Sequence, residues 1–152
     1  MPTFETKRKV PFTARQMYDV VADIERYPEF LPMCTGLRVT SRQDTPEGQV
    51  VVATMSVGYK AIRESFTTRV TLNASVPRVD VSYLNGPFSH LTNRWLFVDL
   101  EPGVSEIDFY ITYQFRSAML GALVGAVFDQ AFRKFTEAFE ARARKVYGTP
   151  VA

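Results

Sequence analysis

Few side chains in this sequence are of the types that perform catalysis or hold a metal ion. His90 is the single histidine and Cys34 the single cysteine, and no GxSxG, GxxxxGK[ST] or GxGxxG segment is present. Covalent and metal catalysis need such groups in sets, either a nucleophile beside a base or several ligands around one ion. We interpret His90 as a bystander near a strand start and Cys34 as a small structural thiol. The sequence therefore predicts no catalytic residues and no metal site.

Two carboxylate pairs have the spacing that places both members on one face of a helix. Asp19 and Asp23 are four residues apart, and Glu137 and Glu140 are three apart. Such a pair can exchange protons only where burial perturbs one of its pKa values. Both pairs occur in stretches with charged neighbours, so we predict that they are solvated surface groups.

Basic residues are concentrated near the end of the chain, at Arg142, Arg144 and Lys145. We predict that this cluster lies on the surface, where anionic lipid or RNA are the partners it suits. The whole chain of 152 residues has 18 basic and 16 acidic residues, a formal net charge of +2. A charge this small argues against nucleic acid as the main partner, and no DNA binding is expected.

Most of the chain has the two-residue period of β-strands. From Leu37 to Phe115, apolar and polar residues alternate between turn segments such as 45–48 and 101–103. Before it, a strand near the start is followed by a short helix with a capping box, Thr13 at the N-cap and Gln16 three residues later. These patterns predict an antiparallel meander of about six to seven strands with one dry and one wet face.

The last fifth of the chain changes to the helical period. A long helix that ends at the stop signal of Gly148 and Pro150 is predicted, about 40–45 Å in length, with one apolar face that must pack on the dry side of the sheet. That face consists of Val124, Phe128, Phe132, Phe135 and Phe139. The fold class is α+β: a curved antiparallel sheet around a long C-terminal helix, with short helices after the first strand. We predict one domain over 1–148 and a short tail over 149–152.

Two glycines interrupt the predicted helix, at Gly121 and Gly125. Each costs about 1 kcal/mol relative to alanine in a helix interior. One interpretation is close packing of the helix on a strand, and the other is that small residues leave room for a ligand or let a cavity open. The aromatic face has the same two interpretations, as ordinary core or as the wall of a lipid cavity.

Several segments, in order along nearly the whole chain, resemble the coenzyme Q-binding branch of the START-like superfamily of polyketide cyclases, dehydratases and lipid transport proteins. The most specific segment is Tyr27-Pro28-Glu29-Phe30-Leu31-Pro32-Met33-Cys34, and Gly86-Pro87-Phe88 and Phe115-Arg116-Ser117 are weaker matches. Met33 departs from the pattern, in which tryptophan is usual. The resemblance implies the helix-grip fold, with a hydrophobic tunnel between sheet and helix.

The resemblance also implies a function without catalysis: the binding and chaperoning of ubiquinone or a related polyisoprenoid lipid in support of respiratory electron transport. The lipid is the bound ligand, and no covalent cofactor is expected. The residues expected at the cavity mouth are Tyr27, Pro28, Phe30, Leu31 and Pro32. The residues expected on the wall are Trp95, Phe97, Phe109, Val124, Phe128, Phe132 and Phe135.

Two other functions stay open. The same branch includes ribosome-association toxins, which act on the large ribosomal subunit, although the weak net charge gives that function little support. The wider superfamily includes polyketide cyclases and dehydratases, but the polar candidates here fall at outward positions. No apolar run reaches the ~20 residues that span a bilayer. We expect a cytoplasmic protein, with peripheral contact to the inner membrane as a further expectation.

Overall fold

A computed structural model describes residues 3–148, and the predicted tail at 149–152 lies outside the described residues. The elements are, in order, β1 (Thr3–Val10), α1 (Ala14–Ala22), a 3₁₀ helix (Ile24–Glu29), β2 (Cys34–Thr45), β3 (Gly48–Tyr59), β4 (Ile62–Asn73), β5 (Arg78–Asn85), β6 (Phe88–Glu101), β7 (Val104–Phe115), α2 (Ala118–Arg133) and α3 (Phe135–Tyr147).

The strands form one antiparallel sheet with the order β1-β7-β6-β5-β4-β3-β2. Register shifts interrupt the pairing of β2 with β3, of β4 with β5 and of β6 with β7, and such bulges bend a strand and increase its twist. The curved sheet encloses the helices on its concave face, which is the helix-grip architecture. The predicted fold class is thus confirmed.

Alternation along the strands decides which residues form the core. In β7, Ile107, Phe109, Ile111 and Tyr113 point inward and are buried. In β6, Trp95 is likewise buried. The predicted turns are also present, since β2 ends at residue 45, β3 begins at 48, and a turn separates β6 from β7.

The start of α1 is held as its sequence predicts. The Thr13 hydroxyl accepts a hydrogen bond from the Gln16 backbone N–H at 3.0 Å, and the Thr13 N–H donates to the Gln16 side chain at 2.8 Å. Asp99 at the far end of β6 accepts from the Ala14 N–H at 2.8 Å. These bonds satisfy N–H groups that have no partner inside the helix, and they join α1 to the sheet.

The prediction of one long C-terminal helix is wrong, because the helix breaks at Lys134. The Lys134 N–H donates to the Ala131 carbonyl at 3.1 Å, a tight final turn that ends α2. The two helices are therefore about 24 Å and 20 Å long at 1.5 Å per residue. Both helices pack on the sheet, α2 on Phe115 of β7 and α3 on Phe109 of β7, and α3 in addition contacts α1 and β1.

Candidate functional site

The concave face of the sheet and the helices enclose an apolar cavity. Its free volume is about 70 Å³, whereas pockets that hold drug-sized ligands measure about 300–1,000 Å³. Among the described residues, no charged side chain faces it. The lining residues are Ile24, Tyr27, Leu37, Ala53, Met55, Phe66, Thr68, Val70, Val79, Val81, Leu91, Asn93, Trp95, Ile111, Phe132, Phe135 and Phe139.

Four of the predicted site residues lie on this wall: Tyr27, Trp95, Phe132 and Phe135. The 3₁₀ helix positions Tyr27, whose hydroxyl donates to the carbonyl of Val21. Burial raises the pKa of Tyr27 far above its ordinary value, so the phenol stays neutral. These aromatic side chains contribute an uncharged surface rather than an acid or a base.

The other predicted wall residues are buried but do not line the cavity: Phe97, Phe109, Val124 and Phe128. Phe97 lies nearer the end of β6, and its ring packs edge-on against Tyr18 of α1 with centroids 6.1 Å apart. Phe128 packs among Phe66, Phe88 and Phe115. All four side chains are buried, but they pack against side chains of neighbouring elements and do not reach the cavity.

The segment expected at the cavity mouth contributes only Tyr27 to the wall, and Pro28, Phe30, Leu31 and Pro32 lie elsewhere. Leu31 is a buried core residue, and Pro28 is exposed within the 3₁₀ helix. The Phe30 ring packs edge-on against Phe139 with centroids 5.3 Å apart. The segment therefore packs against α3 through Phe30.

The wall contains two polar side chains that the sequence analysis did not select, Thr68 and Asn93. Asn93 donates from Nδ2 to the Tyr110 carbonyl at 2.9 Å, and its Oδ1 accepts from Trp95 Nε1 at 3.1 Å. A sequence signal for them exists, because each occupies the inward phase of its strand, Thr68 between Phe66 and Val70 and Asn93 two residues before Trp95. A polar residue in an apolar phase is a candidate for ligand recognition.

The two potential nucleophile or base residues lie outside the cavity. His90 is exposed on β6, near the Thr92 hydroxyl. Cys34 is buried at the start of β2, where its thiol donates to the Gly36 carbonyl. Burial raises the pKa of the Cys34 thiol to about 11, which keeps it protonated and unreactive at neutral pH. Within residues 3–148, His, Cys, Asp and Glu side chains do not gather into a metal-binding group.

The predicted surface carboxylates divide into two groups. Asp19, Asp23 and Glu137 are exposed as predicted. The prediction is wrong for Glu140, which is 5% exposed and forms ion pairs with Arg8 and Arg144. The helical period of the sequence does not indicate the ion pair of Glu140 with Arg8, because Arg8 lies in β1 at the other end of the chain.

The basic cluster of α3 is only partly a free surface. Arg142 is 14% exposed in its side chain, pairs with Glu29 at 3.3 Å and lies over the Phe30 ring. Arg144 pairs with Glu140, whereas Lys145 is exposed. The prediction of a surface cluster is therefore wrong for Arg142, whose guanidinium holds α3 to the 3₁₀ helix.

The helix glycines of α2 face the ring of Phe115. A Cβ atom would lie 3.4 Å from that ring at Gly121 and 3.6 Å from it at Gly125. These are ordinary contact distances, so a Cβ atom would fit at both positions and the approach of α2 to β7 does not require glycine there. Neither glycine lines the cavity, and neither interpretation of the two glycines is therefore decided by the structure.

With the geometry established, comparison with known proteins places the chain in a family. Residues 10–140 match the family described as polyketide cyclase/dehydrase and lipid transport. The chain belongs to this family. Its matched region contains the complete sheet from β2 to β7 and the cavity-lining part of α2 and α3.

Relatives of the chain carry different names. The chain is 34% identical to ribosome association toxin RatA of Escherichia coli strain K12, over 97% of this chain and 90% of the relative. It is 27% identical to coenzyme Q-binding protein COQ10 homolog B, mitochondrial, of Xenopus laevis, over 95% of this chain and 59% of that protein. Both kinds of relative belong to the branch that the sequence motifs indicated.

Solved structures agree with the architecture. An 18 kDa protein of Caulobacter crescentus is 35% identical, with a TM-score of 0.78 over 98% of this chain and all of that chain. The Zhui aromatase/cyclase of Streptomyces sp. R1128 superposes with a TM-score of 0.81 over 95% of both chains, at 16% identity, and this likeness concerns the fold alone. Within residues 3–148, the structure contains no helix of the length and hydrophobicity needed to cross a membrane.

Proposed function

We propose that the chain binds ubiquinone or a related neutral polyisoprenoid lipid in its cavity and carries it unchanged, in support of respiratory electron transport. The observation that supports this proposal is the wall itself, which is aromatic and aliphatic with no charged side chain among the described residues. Burial of one five-carbon isoprene unit is worth about 4 kcal/mol at ~0.8 kcal/mol per CH₂. Outside a bilayer, a polyisoprenoid needs an apolar cavity of this kind.

Loading requires the cavity to open, because its free volume of about 70 Å³ is far below that of typical ligand pockets. The element suited to move is α2, which the break at Lys134 separates from α3. Outward movement of α2 enlarges the cavity beside Phe132. The α3 helix stays in place, because its Glu140 pairs with Arg8 of β1 and its Arg142 pairs with Glu29 of the 3₁₀ helix. The structure thus corresponds to the closed state of the carrier in this proposal.

A carrier function fits the chemistry of the wall better than catalysis does. Tyr27 is the one ordinarily titratable side chain that faces the cavity within the described residues, and its hydroxyl already donates to Val21. Proton transfer needs an acid or base whose pKa lies near the working pH. With the pKa of Tyr27 raised far above that range, we assign the wall to binding.

Exchange of a lipid with a bilayer needs a surface that touches the bilayer, and α2 has such a surface. Met119 is 74% exposed and Leu123 is 67% exposed, one turn apart on the outer side of the helix. Exposed apolar side chains on a helix gain free energy by entering the headgroup boundary of a membrane. We assign this face to peripheral membrane contact, next to the element that opens.

A second candidate function is association with the ribosome. It is favoured by the relatives named for ribosome association, which match over 90% of their length, whereas the coenzyme Q-binding relative matches over 59%. The carrier proposal ranks first because the apolar cavity is a feature of this chain itself. On the charged outer face, in contrast, many basic side chains form ion pairs with carboxylates. Arg94, for example, pairs with Glu5 and Asp108.

One experiment tests both candidates. The folded protein is purified under mild conditions and divided, and one half is extracted with organic solvent and analysed for isoprenoid quinones by chromatography with ultraviolet and mass detection. The other half is centrifuged through a sucrose gradient with large ribosomal subunits. A near-stoichiometric quinone supports the carrier, whereas absence of lipid together with co-sedimentation would replace it with the ribosome function.

A further inference from the structure

Thr68 is a buried residue of the cavity wall whose hydroxyl forms no hydrogen bond within the described residues. Thr68 is 7% exposed and belongs to the cavity wall on β4. Thr54 and Thr67 next to it bond to each other at 2.7 Å, but no residue of the described chain accepts from or donates to the Thr68 hydroxyl. Buried hydroxyl groups in native proteins are nearly always hydrogen-bonded. The Thr68 hydroxyl is therefore available to a polar atom of a ligand in the cavity.

Asn93 adds a second unused donor. Its side-chain amide has two N–H groups and one carbonyl oxygen. One N–H is engaged by the Tyr110 carbonyl, and the oxygen is engaged by the Trp95 indole. These two bonds fix the orientation of the amide, so the remaining N–H has a defined direction before any ligand arrives.

The two donors lie on the same face of the sheet, on either side of β5. Val81 pairs with Val70 on one side and with Asn93 on the other, and Thr68 precedes Val70 by one inward position. Neighbouring strands are about 4.8 Å apart, so roughly 10 Å separates the two backbones that carry the donors. The rest of the wall around them is apolar.

We propose that Thr68 and Asn93 form a head-group subsite that donates hydrogen bonds to carbonyl oxygens of an uncharged ligand. This inference rests on the proposed carrier function and specifies which lipids it takes. Donors without a nearby cation suit a neutral acceptor such as a quinone, and they disfavour carboxylate and phosphate lipids, whose charge would be buried without compensation. The isoprenoid tail then lies against Phe132 and Phe135, whose rings form the helix side of the wall.

The position of Trp95 supplies a direct readout. It is the single tryptophan of the chain, it lines the cavity, and its indole bonds to Asn93. A quinone seated in the subsite lies in contact range of this indole and quenches its fluorescence. The probe is a benzoquinone with two isoprene units, titrated into the full chain.

The informative variants are Thr68→Val, which removes the hydroxyl and keeps the shape, and Thr68→Ser, which keeps the hydroxyl. Loss of one neutral hydrogen bond predicts quinone affinity about 3- to 10-fold weaker in Thr68→Val. Thr68→Ser should bind close to the unsubstituted protein. A tail-matched isoprenoid hydrocarbon, measured by its displacement of the quinone, should bind both variants equally. Unchanged circular dichroism and thermal midpoints confirm that the variants are folded.

The outcomes separate the two proposals. Quenching by quinone that is equal in Thr68→Val and the unsubstituted protein would overturn the subsite and leave the carrier in place. If oleate displaces the quinone as effectively as a second neutral quinone does, the assignment of the subsite to neutral head groups is overturned. If the unsubstituted protein binds neither quinone nor hydrocarbon, the carrier function fails and the subsite fails with it.

Discussion

Glu140 of α3 and Arg8 of β1 form an ion pair with 2.6 Å between Oε1 and Nε, and the carboxylate side chain is only 6% exposed. Arg144 approaches the other carboxylate oxygen from one turn along α3. One acidic group thus holds the last helix of the chain to its first strand. A buried carboxylate needs such partners, because its charge would otherwise be buried without compensation.

Replacement of Glu140 by glutamine is therefore expected to destabilise the fold. The change removes the charge that compensates Arg8 and Arg144, but both arginines are partly exposed and retain water. We expect the free energy of unfolding to fall by about 1–3 kcal/mol, less than for a fully buried pair. Urea denaturation measures it. The matched control is Glu137→Gln on the exposed face of the same helix, expected within about 0.5 kcal/mol of the unsubstituted protein; equal effects would contradict the role of the pair.

Filling the cavity should remove ligand uptake and leave the fold intact. Ala53 of β3 is buried and lines the cavity, so Ala53→Leu places added methyl groups in the free space. Because the void accepts them, we expect a stability change below about 1.5 kcal/mol. Quinone retained after purification should fall several-fold, measured by extraction and mass detection. The control Val52→Leu enlarges the neighbouring side chain on the opposite face, and a similar loss of quinone there would show that the effect is not due to the cavity.

The exposed face of α2 should govern contact with membranes. Met119→Gln combined with Leu123→Gln removes the two apolar groups while the helix and its buried face stay unchanged. We expect slower transfer of quinone between phospholipid vesicles, at unchanged thermal stability. The matched control is Val98→Gln with Leu100→Gln, which are similarly exposed near the far end of β6. If both double variants transfer quinone equally, the face on α2 is not the contact surface.

The buried thiol gives a prediction about pH. The pKa of Cys34 is about 11 in the fold, against about 8.5 for a free thiol. Because the unfolded chain loses this proton first, the contribution to stability is complete below about pH 8.5 and is lost as the pH rises toward 11. Iodoacetamide should label the folded protein very slowly at pH 8 and the urea-unfolded protein at an ordinary rate. Rapid labelling of the folded protein at pH 8 would contradict the burial of this group.

Local elements and their buried faces could be predicted from the amino-acid sequence. Thr13 and Gln16 specify the start of α1 because a capping box involves only neighbours along the chain. The alternation around Phe109 and the spacing of Phe128 and Phe132 specify which sides are buried, because strand and helix periods place those side chains on one face. The ordered motifs further indicated the family.

The places where these faces meet could not be predicted from local patterns. Phe97 and Trp95 share one phase of β6, yet Trp95 lines the cavity and Phe97 packs on α1, because the position along a curved strand relative to the helices is not encoded in a two-residue period. The burial of Glu140 depends likewise on a long-range partner, Arg8 of β1. Contacts between residues more than a hundred positions apart arise from the three-dimensional path of the chain, which no local pattern specifies.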